Sequence, residues 1–140
     1  MGFPRLIAAV VFALGAWLVA NTHAALSQSS PLDAVQVGLQ TGKPTVVEFG
    51  STRCKGCRDM KRVLTDLTRM YGERVSVVDI DLFSPQGRGL ISRYRVQMMP
   101  MQVFYDAAGH ETGRHLGPID LPEILASLGI NTSEKSTAPR

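Results

Sequence analysis

The only two cysteines of this 140-residue chain stand close together, as Cys54-Lys55-Gly56-Cys57. They follow shortly after the run Thr45–Phe49, which predicts a buried strand, and an apolar stripe with helical spacing begins at the second cysteine. A cysteine pair at a junction between a strand and a helix can close a small disulfide ring and open it again. A disulfide that serves stability usually closes a long loop, because a long loop removes more entropy from the unfolded chain. The spacing therefore favours redox chemistry over a structural cross-link.

The N-terminal residues have the order of a secretory signal. Arg5 provides a basic start, residues 6–20 are almost wholly apolar, and small residues at Thr22 and Ala24 suit a cleavage site. The apolar run is shorter than the ~20 residues that a helix needs to cross a bilayer. We therefore predict a signal peptide over residues 1–24, with an uncleaved anchor in the inner membrane as the alternative. Either form predicts export, to the periplasm or another extracytoplasmic compartment.

The rest of the chain predicts one domain and a tail. Residues 31–130 have the length of one compact domain and contain no internal repeat. Residues 131–140 are polar and lack periodicity, which predicts a disordered tail. The net charge of +3 is modest and the basic residues are scattered, so nucleic acid is not expected as a partner. The default expectation for the oligomeric state is a monomer.

Hydrophobic periodicity and turn signals predict alternating helices and strands. The predicted helices cover about 32–40, 57–71, 84–94 and 121–128. The predicted strands cover 45–49, 75–80, 101–105 and 111–115. A helical crossover makes the first two strands parallel neighbours, and the tight turn between the last two makes them antiparallel. The pattern predicts an α/β fold, with a mixed central sheet of about four strands and helices on both faces.

The order of the motifs resembles the thioredoxin family over most of the predicted domain. Val46–Phe49 leads into the cysteine pair, Val78–Asp81 ends the second strand, and Tyr94–Pro100 precedes the third. Gly109 and Gly117 fall where the family has its hairpin turn and a late glycine. The resemblance implies the three-layer thioredoxin-like fold and the activity of a protein-disulfide oxidoreductase.

The resemblance also implies roles for individual residues. Cys54 would be the exposed nucleophile and Cys57 the resolving thiol, partly buried. Pro100 matches the family's cis-proline, which with Met99 would contact an extended substrate. Glu48 falls where many members carry a buried acid that helps to move the proton of the second cysteine. The resemblance implies no cofactor other than the disulfide that the cysteine pair itself forms.

The chain departs from the usual pattern of the family around the cysteines. Arg53 replaces the usual tryptophan, Lys55-Gly56 replaces Gly-Pro between the cysteines, and Arg62 replaces a proline that often kinks the next helix. These differences leave the exchange chemistry in place. They bear on the natural partner and on the redox potential.

The acidity of the first cysteine follows from its expected surroundings. The N-terminus of a helix favours negative charge, and Arg53, Lys55 and Arg58 add positive charge, so we expect the Cys54 pKa to lie below its usual value. Resemblance to small exported thioredoxins favours a reductase of other exported proteins, whereas the basic residues favour oxidation or isomerisation. A reductant outside the cytoplasm needs a membrane-bound electron donor, because that compartment is oxidising. An oxidant would need the corresponding acceptor.

Methionines around the predicted cis-proline provide an alternative from another class of protein. Met98, Met99 and Met101 surround Pro100, and soft sulfur ligands suit Cu(I). A Cu(I) chaperone or metallation factor that uses the two cysteines and these methionines is therefore the alternative function. The same methionines would otherwise pack in the core or form an adaptable apolar surface for substrates. A third interpretation, a binding module with idle cysteines, predicts that replacing both cysteines leaves function intact.

Overall fold

The computed structural model describes residues 31–131, with side chains from residue 34 onward. The predicted signal segment 1–24 and residues 132–140 of the predicted tail lie outside the described residues. Within residues 31–131, no helix has the length and apolar character of a membrane-spanning segment.

The helices and strands follow the predicted order. The helices are α1 (Pro31–Leu39), α2 (Lys55–Tyr71), α3 (Leu90–Tyr94) and α4 (Leu121–Ser127). The strands are β1 (Thr45–Gly50), β2 (Ser76–Asp81), β3 (Met101–Tyr105) and β4 (Glu111–Leu116). A 3₁₀ turn at Gly87–Gly89 leads into α3.

The strands form a mixed sheet in the order β2-β1-β3-β4. β1 and β2 are parallel, whereas β1 pairs with β3, and β3 with β4, in antiparallel fashion. The predicted parallel pair, the predicted hairpin and the predicted number of strands are all confirmed for the described part of the chain. Because β1 is central, its two neighbours set which side chains stand beside those of the strand before the cysteines.

Helices cover both faces of the sheet. On one face, Val47 and Phe49 of β1 pack with Val35 of α1 and with Leu90 of α3. On the other face, Val46 packs with apolar side chains of α2 and α4. β1 is accordingly buried along its whole length, as its run of β-branched residues predicts. The expected three-layer α/β fold is therefore confirmed.

The apolar stripe on α2 is the face that meets the sheet. Met60, Leu64 and Leu67 are buried, and Gly72 caps the C-terminus of the helix as predicted. The helix begins at Lys55, slightly earlier than predicted, because Cys54 acts as its N-cap residue. The two cysteines thus lie in the first turn of α2 and at its cap.

The helix predicted over residues 84–94 is wrong in its first half. Ser84 does not start a helix; its hydroxyl donates to the Asp81 carbonyl at 2.8 Å and accepts the Gly87 N–H at 2.9 Å, which holds a turn. Gly87 packs so closely against the backbone of Asp81 that an added Cβ would lie 2.1 Å from the Asp81 carbonyl oxygen. Glycine also has poor helix propensity, so a helix forms only from Leu90 onward.

Candidate active site

Cys54 is half-buried at the N-terminus of α2. Its Sγ accepts the backbone N–H of Cys57 at 3.2 Å, and its thiol lies 3.9 Å from the Met99 carbonyl oxygen. The Cys57 thiol and the N–H groups of Cys57 and Gly56 stabilise a Cys54 thiolate, with a further contribution from the charge of Arg58, so the Cys54 pKa is lowered. The expected effect of the helix N-terminus is therefore present in the structure.

The three cations around Cys54 have different partners. The Arg58 guanidinium donates to the Thr52 carbonyl oxygen at 3.1 Å, which keeps it beside the cysteine pair. Lys55 is paired with Asp59 at 3.0 Å, and the Arg53 guanidinium lies over the Phe83 ring, 5.6 Å from its centroid. Of the three expected contributors, Arg58 is the one whose charge lowers the Cys54 pKa in this geometry.

Cys57 has the opposite environment. Its side chain is 6 % exposed, and both cysteines are free thiols in the structure. Burial is the largest cause that raises the pKa of Cys57 to about 12, and the Cys54 thiol and the charge of Glu48 act in the same direction. Cys54 is therefore the more acidic and more exposed sulfur. This is the arrangement that the predicted roles of nucleophile and resolving thiol require, and the roles themselves stay predictions.

Glu48 lies on β1 beneath the cysteines and is 2 % exposed. Its Oε2 accepts a hydrogen bond from Nε2 of Gln102 at 3.1 Å, so its hydrogen-bond partner is an amide and not a cation. Burial is the main cause that raises the pKa of Glu48 to about 7, and the charge of Asp79 adds to it. Near neutral pH this carboxyl can therefore both take and release a proton.

Gly50 leaves a gap between the carboxyl of Glu48 and the thiol of Cys57. A Cβ at Gly50 would lie 3.0 Å from Glu48 Oε1 and 3.4 Å from Cys57 Sγ, so both groups border the same small space. This space belongs to a pocket of about 390 Å³ whose lining also includes Lys61 and Asp79. The pocket connects the buried acid and the buried thiol to solvent.

Met99 and Pro100 lie directly beside the cysteine motif. The Met99–Pro100 peptide bond is cis, as the resemblance implies. A Cβ at Gly56 would lie 3.3 Å from Pro100 Cδ, so the loop packs against the first turn of α2. The predicted pair of substrate-binding residues is thus next to Cys54, although their role stays a prediction.

The methionines near Pro100 point to different parts of the molecule. Met101 is 1 % exposed and packs in the core on the α1 face. Met98 and Met99 line an apolar pocket of about 450 Å³, together with Phe83 and Ile91. Among the described residues, no cluster of three or more His, Cys, Asp or Glu side chains could hold a metal ion. Met101 is therefore a core residue, and the other two belong to an apolar surface beside the cysteines.

Gln102 is the residue of this site that the sequence analysis did not identify. It is fully buried and stands opposite Glu48 in the β1–β3 pairing. Its signal in the sequence is a polar residue in the otherwise apolar strand Met101–Tyr105, on the face where Glu48 lies. That signal acquires meaning only when the pairing of β1 with β3 is known.

A family comparison decides the classification. The model of the thioredoxin-like domain matches residues 33–129, which is most of the chain. This chain belongs to the thioredoxin family. The matched domain is accordingly a thioredoxin-like thiol–disulfide oxidoreductase domain, with the cysteine pair at the N-terminus of α2.

Two curated relatives and one solved structure illustrate the relationship. The thioredoxin-like protein HCF164, chloroplastic, of Oryza sativa subsp. japonica is 28% identical over 101 residues, covering 72% of this chain and 38% of the relative. The thiol:disulfide interchange protein DsbD 1 of Pseudomonas aeruginosa is 32% identical over 110 residues, covering 74% of this chain and 19% of the relative. This chain therefore spans well under half the length of these relatives.

The crystal structure of the germline-specific thioredoxin Deadhead from Drosophila melanogaster has the same fold. It superposes with a TM-score of 0.60 at 26% identity, covering 73% of this chain and 97% of Deadhead. The domain of this chain therefore corresponds to nearly the whole of Deadhead.

Proposed function

We propose that this protein is an exported thiol–disulfide oxidoreductase that exchanges disulfides with other exported proteins and acts chiefly as a reductant. The observation that carries the exchange reaction, which is common to both directions of electron flow, is the divergent acidity of one cysteine pair. The pKa of Cys54 is lowered at the N-terminus of α2, whereas burial raises the pKa of Cys57 to about 12. The first sulfur is thus prepared to attack, and the second stays protonated until it is needed.

In the reducing direction, the Cys54 thiolate attacks one sulfur of a substrate disulfide. The substrate S–S bond breaks, a mixed disulfide forms, and the released substrate thiolate takes a proton from solvent. Cys57 then loses its proton and attacks Sγ of Cys54, which forms the Cys54–Cys57 disulfide and releases the second substrate thiolate. Two electrons pass from the dithiol to the substrate, and the same steps run backwards in the oxidising direction.

Glu48 is the proposed acceptor of the Cys57 proton. Burial raises the pKa of the Cys57 thiol whether or not Cys54 is bound to substrate, so a nearby base is needed to take its proton for efficient exchange. Glu48 borders the same gap at Gly50 as the Cys57 sulfur, and its pKa of about 7 allows it to be ionised at neutral pH. The pocket that contains Lys61 and Asp79 then connects Glu48 to solvent for the return of the proton.

The substrate segment is proposed to lie along Met99 and Pro100. The Met99 carbonyl is 3.9 Å from Cys54 Sγ, so a peptide bound beside it would bring its own sulfur to the nucleophile. Met98 and Met99 border an apolar pocket with Phe83, and flexible thioethers adapt to different substrate side chains. This surface supports protein substrates of varied sequence.

The sequence supports export, its resemblance to small exported thioredoxins supports the reducing direction, and the names of the relatives support disulfide exchange. The order of residues 1–24 supports a secretory signal or an anchor. Relatives named thiol:disulfide interchange proteins support exchange between proteins. A reductant in an oxidising compartment must be reduced again after each cycle, so the proposal includes a membrane-bound electron donor.

Trapping a mixed disulfide tests the exchange reaction. The Cys57→Ser variant should accumulate a covalent adduct with a disulfide-bonded peptide, because Cys54 can attack but nothing resolves the adduct. The matched Cys54→Ser variant should accumulate far less, since the remaining thiol is buried and has a raised pKa. Equal trapping by both variants, or by neither, would overturn the assigned roles.

The redox potential of the cysteine pair tests the direction. Equilibration with thiol buffers should give a value close to about −270 mV, the potential of a reducing thioredoxin. A value close to about −120 mV, the potential of a strong oxidant, would overturn the reductase proposal while leaving disulfide exchange in place.

A further inference from the structure

Gln102 has a buried side-chain amide whose nitrogen forms a hydrogen bond and whose oxygen does not. Its Nε2 donates to Glu48 Oε2 at 3.1 Å, whereas its Oε1 is buried and has no hydrogen-bond partner among the described residues. A buried acceptor without a partner costs stability, and an apolar side chain of the same shape avoids that cost. The presence of a glutamine here is therefore not explained by the stability of the sheet.

The hydrogen bond gives the two carboxyl oxygens of Glu48 different surroundings, one beside Gln102 and the other beside Cys57. Oε2 is held by Gln102 across the β1–β3 pair, in which the two residues stand directly opposite each other. Oε1 lies on the side of Gly50, in the space that Cys57 Sγ also borders. One oxygen is thus anchored, and the other faces the thiol that has to lose its proton.

The charges around Glu48 come from β2 and α2. Asp79 stands opposite it on β2 and is paired with Lys61 of α2 at 3.1 Å. Asp81 and Arg58 complete the charged lining of the adjoining pocket. These two acids and two bases largely balance one another, so the amide is the hydrogen-bond donor that distinguishes one carboxyl oxygen from the other.

His115 stands opposite Gln102 in the β3–β4 pairing, and its imidazole has another hydrogen-bond partner. Its Nε2 contacts the Pro118 carbonyl oxygen at 3.2 Å. Of the titratable groups described on the two strands beside β3, Glu48 is therefore the one to which Gln102 is hydrogen-bonded.

We propose that Gln102 is a positioning residue that holds Oε2 of Glu48 in both protonation states, so that Oε1 is the oxygen that exchanges a proton with Cys57. The inference rests on the proposed function of Glu48 as proton acceptor. In the resolving step, the S–H bond of Cys57 breaks, the proton forms an O–H bond at Oε1, and the sulfur keeps the electron pair with which it attacks Cys54. Oε2 accepts the amide hydrogen bond before and after the transfer.

The Gln102→Met variant tests this inference, because methionine matches the length of glutamine and cannot form the hydrogen bond. The resolving step is measured by stopped flow, as the release of the second thiolate from a chromogenic aryl disulfide, over a range of pH. Loss of a donor to a charged carboxylate should move the pH midpoint of this step upward by about one unit. The rate near neutral pH should then fall by up to about tenfold, with the first, Cys54-dependent phase unchanged.

The stability of Gln102→Met separates a positioning role from a purely structural one, because loss of a purely structural residue would lower the free energy of unfolding. Under mildly acidic conditions, where Glu48 is protonated, Gln102→Met should cost little stability toward urea, because removal of the unpartnered Gln102 oxygen offsets the hydrogen bond that Oε2 of the neutral carboxyl loses. The control is Val103→Ala, a buried change on the opposite face of β3. It should lower stability without moving the pH midpoint.

Comparison with Glu48→Gln separates failure of this inference from failure of the proposed function. In the Glu48→Gln background, Gln102→Met should have no further effect on the resolving step, since the amide acts through the carboxyl. An unchanged pH profile in Glu48→Gln itself would overturn the role of Glu48. A normal midpoint in Gln102→Met, or an equal effect in both backgrounds, would overturn only the role of Gln102.

Nuclear magnetic resonance of the unmodified protein provides a test that needs no folded Gln102 variant. The side-chain amide signals of Gln102 should titrate with a midpoint of about 7, the pKa of Glu48, and should lose this titration in Glu48→Gln. Signals that stay constant with pH in the wild type would overturn the inference.

Discussion

Two cysteine side chains of identical chemistry have pKa values shifted in opposite directions in this protein because their surroundings differ. Cys54 lies where N–H groups and the Arg58 guanidinium stabilise a thiolate, whereas Cys57 is turned into the protein beside Glu48. The separation of two sulfurs only three positions apart comes from the start of α2, which exposes one and buries the other. At the scale of the residue, the site is therefore produced by local burial and by backbone donors.

The raised pKa of Glu48 predicts a pH-dependent cost in stability. Its pKa is about 7 in the folded protein against an ordinary value of 4.5, so the unfolded chain loses this proton first as pH rises. The stabilising effect of the neutral carboxyl is complete below about 4.5 and is lost as pH rises to about 7. Because Glu48→Gln cannot ionise, we expect it to be more stable than the wild type above neutral pH by up to about 3 kcal/mol.

Urea unfolding under reducing conditions between about pH 5 and about pH 8 measures this difference. The gap between Glu48→Gln and the wild type should widen with pH and then stay constant. Glu73→Gln, at an exposed position, is the control and should change stability by less than about 0.5 kcal/mol at any pH. Parallel curves for the wild type and Glu48→Gln would show that burial does not hold this carboxyl neutral.

Packing between α1 and the sheet depends on a residue without a side chain. Gly38 lies within α1, and a Cβ there would stand 2.5 Å from Cγ2 of Val78 on β2. At the scale of the element, this close approach overrides helix propensity, which alone would favour alanine. The glycine allows the helix to lie directly on the parallel pair of strands.

Gly38→Ala is therefore expected to destabilise the protein by about 1–3 kcal/mol, because the helix must move away from β2. Gly89→Ala is the matched control: its backbone is right-handed helical, and nothing lies within 4 Å of the added Cβ. The control should be neutral or more stable by up to about 1 kcal/mol, because alanine restricts the unfolded chain. Chemical denaturation of both variants would refute the packing argument if their effects had the same sign and size.

The two faces of the sheet share β1, so the described domain should unfold as one unit. Leu67 of α2 packs on one face. On the opposite face, the rings of Phe49 and Tyr94 contact each other, with their centroids 4.8 Å apart. A buried strand between two cores couples them, because neither core can open without exposing the other. At the scale of the whole molecule, the fold is stabilised by two cores that are not independent.

Leu67→Ala should lower the free energy of unfolding by about 2–5 kcal/mol. The same loss should be measured by backbone circular dichroism and by the ring signals of Phe49 and Tyr94 on the far face. Met70→Ala, at a 55 % exposed position of the same helix, should change stability by less than about 0.5 kcal/mol. Separate transitions for the two probes would contradict a single cooperative unit.

Features that depend on neighbours along the chain are predictable from the sequence. Periodicity placed the strands and the long helix, and the spacing of Cys54 and Cys57 after β1 predicted a cysteine pair at a helix N-terminus. The role expected for Glu48 on that strand followed from the resemblance to the family. Such patterns are readable because side chains repeat every 3.6 residues in a helix and every two in a strand.

Contacts between side chains that are distant in the sequence depend on the tertiary structure. Gln102 binds Glu48 across 54 positions of sequence, and its importance depends on the register of β3 against β1. The helix predicted from Ser84 was shortened in the same way, because Gly87 packs on the backbone of Asp81. Register and close packing arise from contacts between segments far apart in the chain, whereas periodicity reports only on the segment in which it occurs.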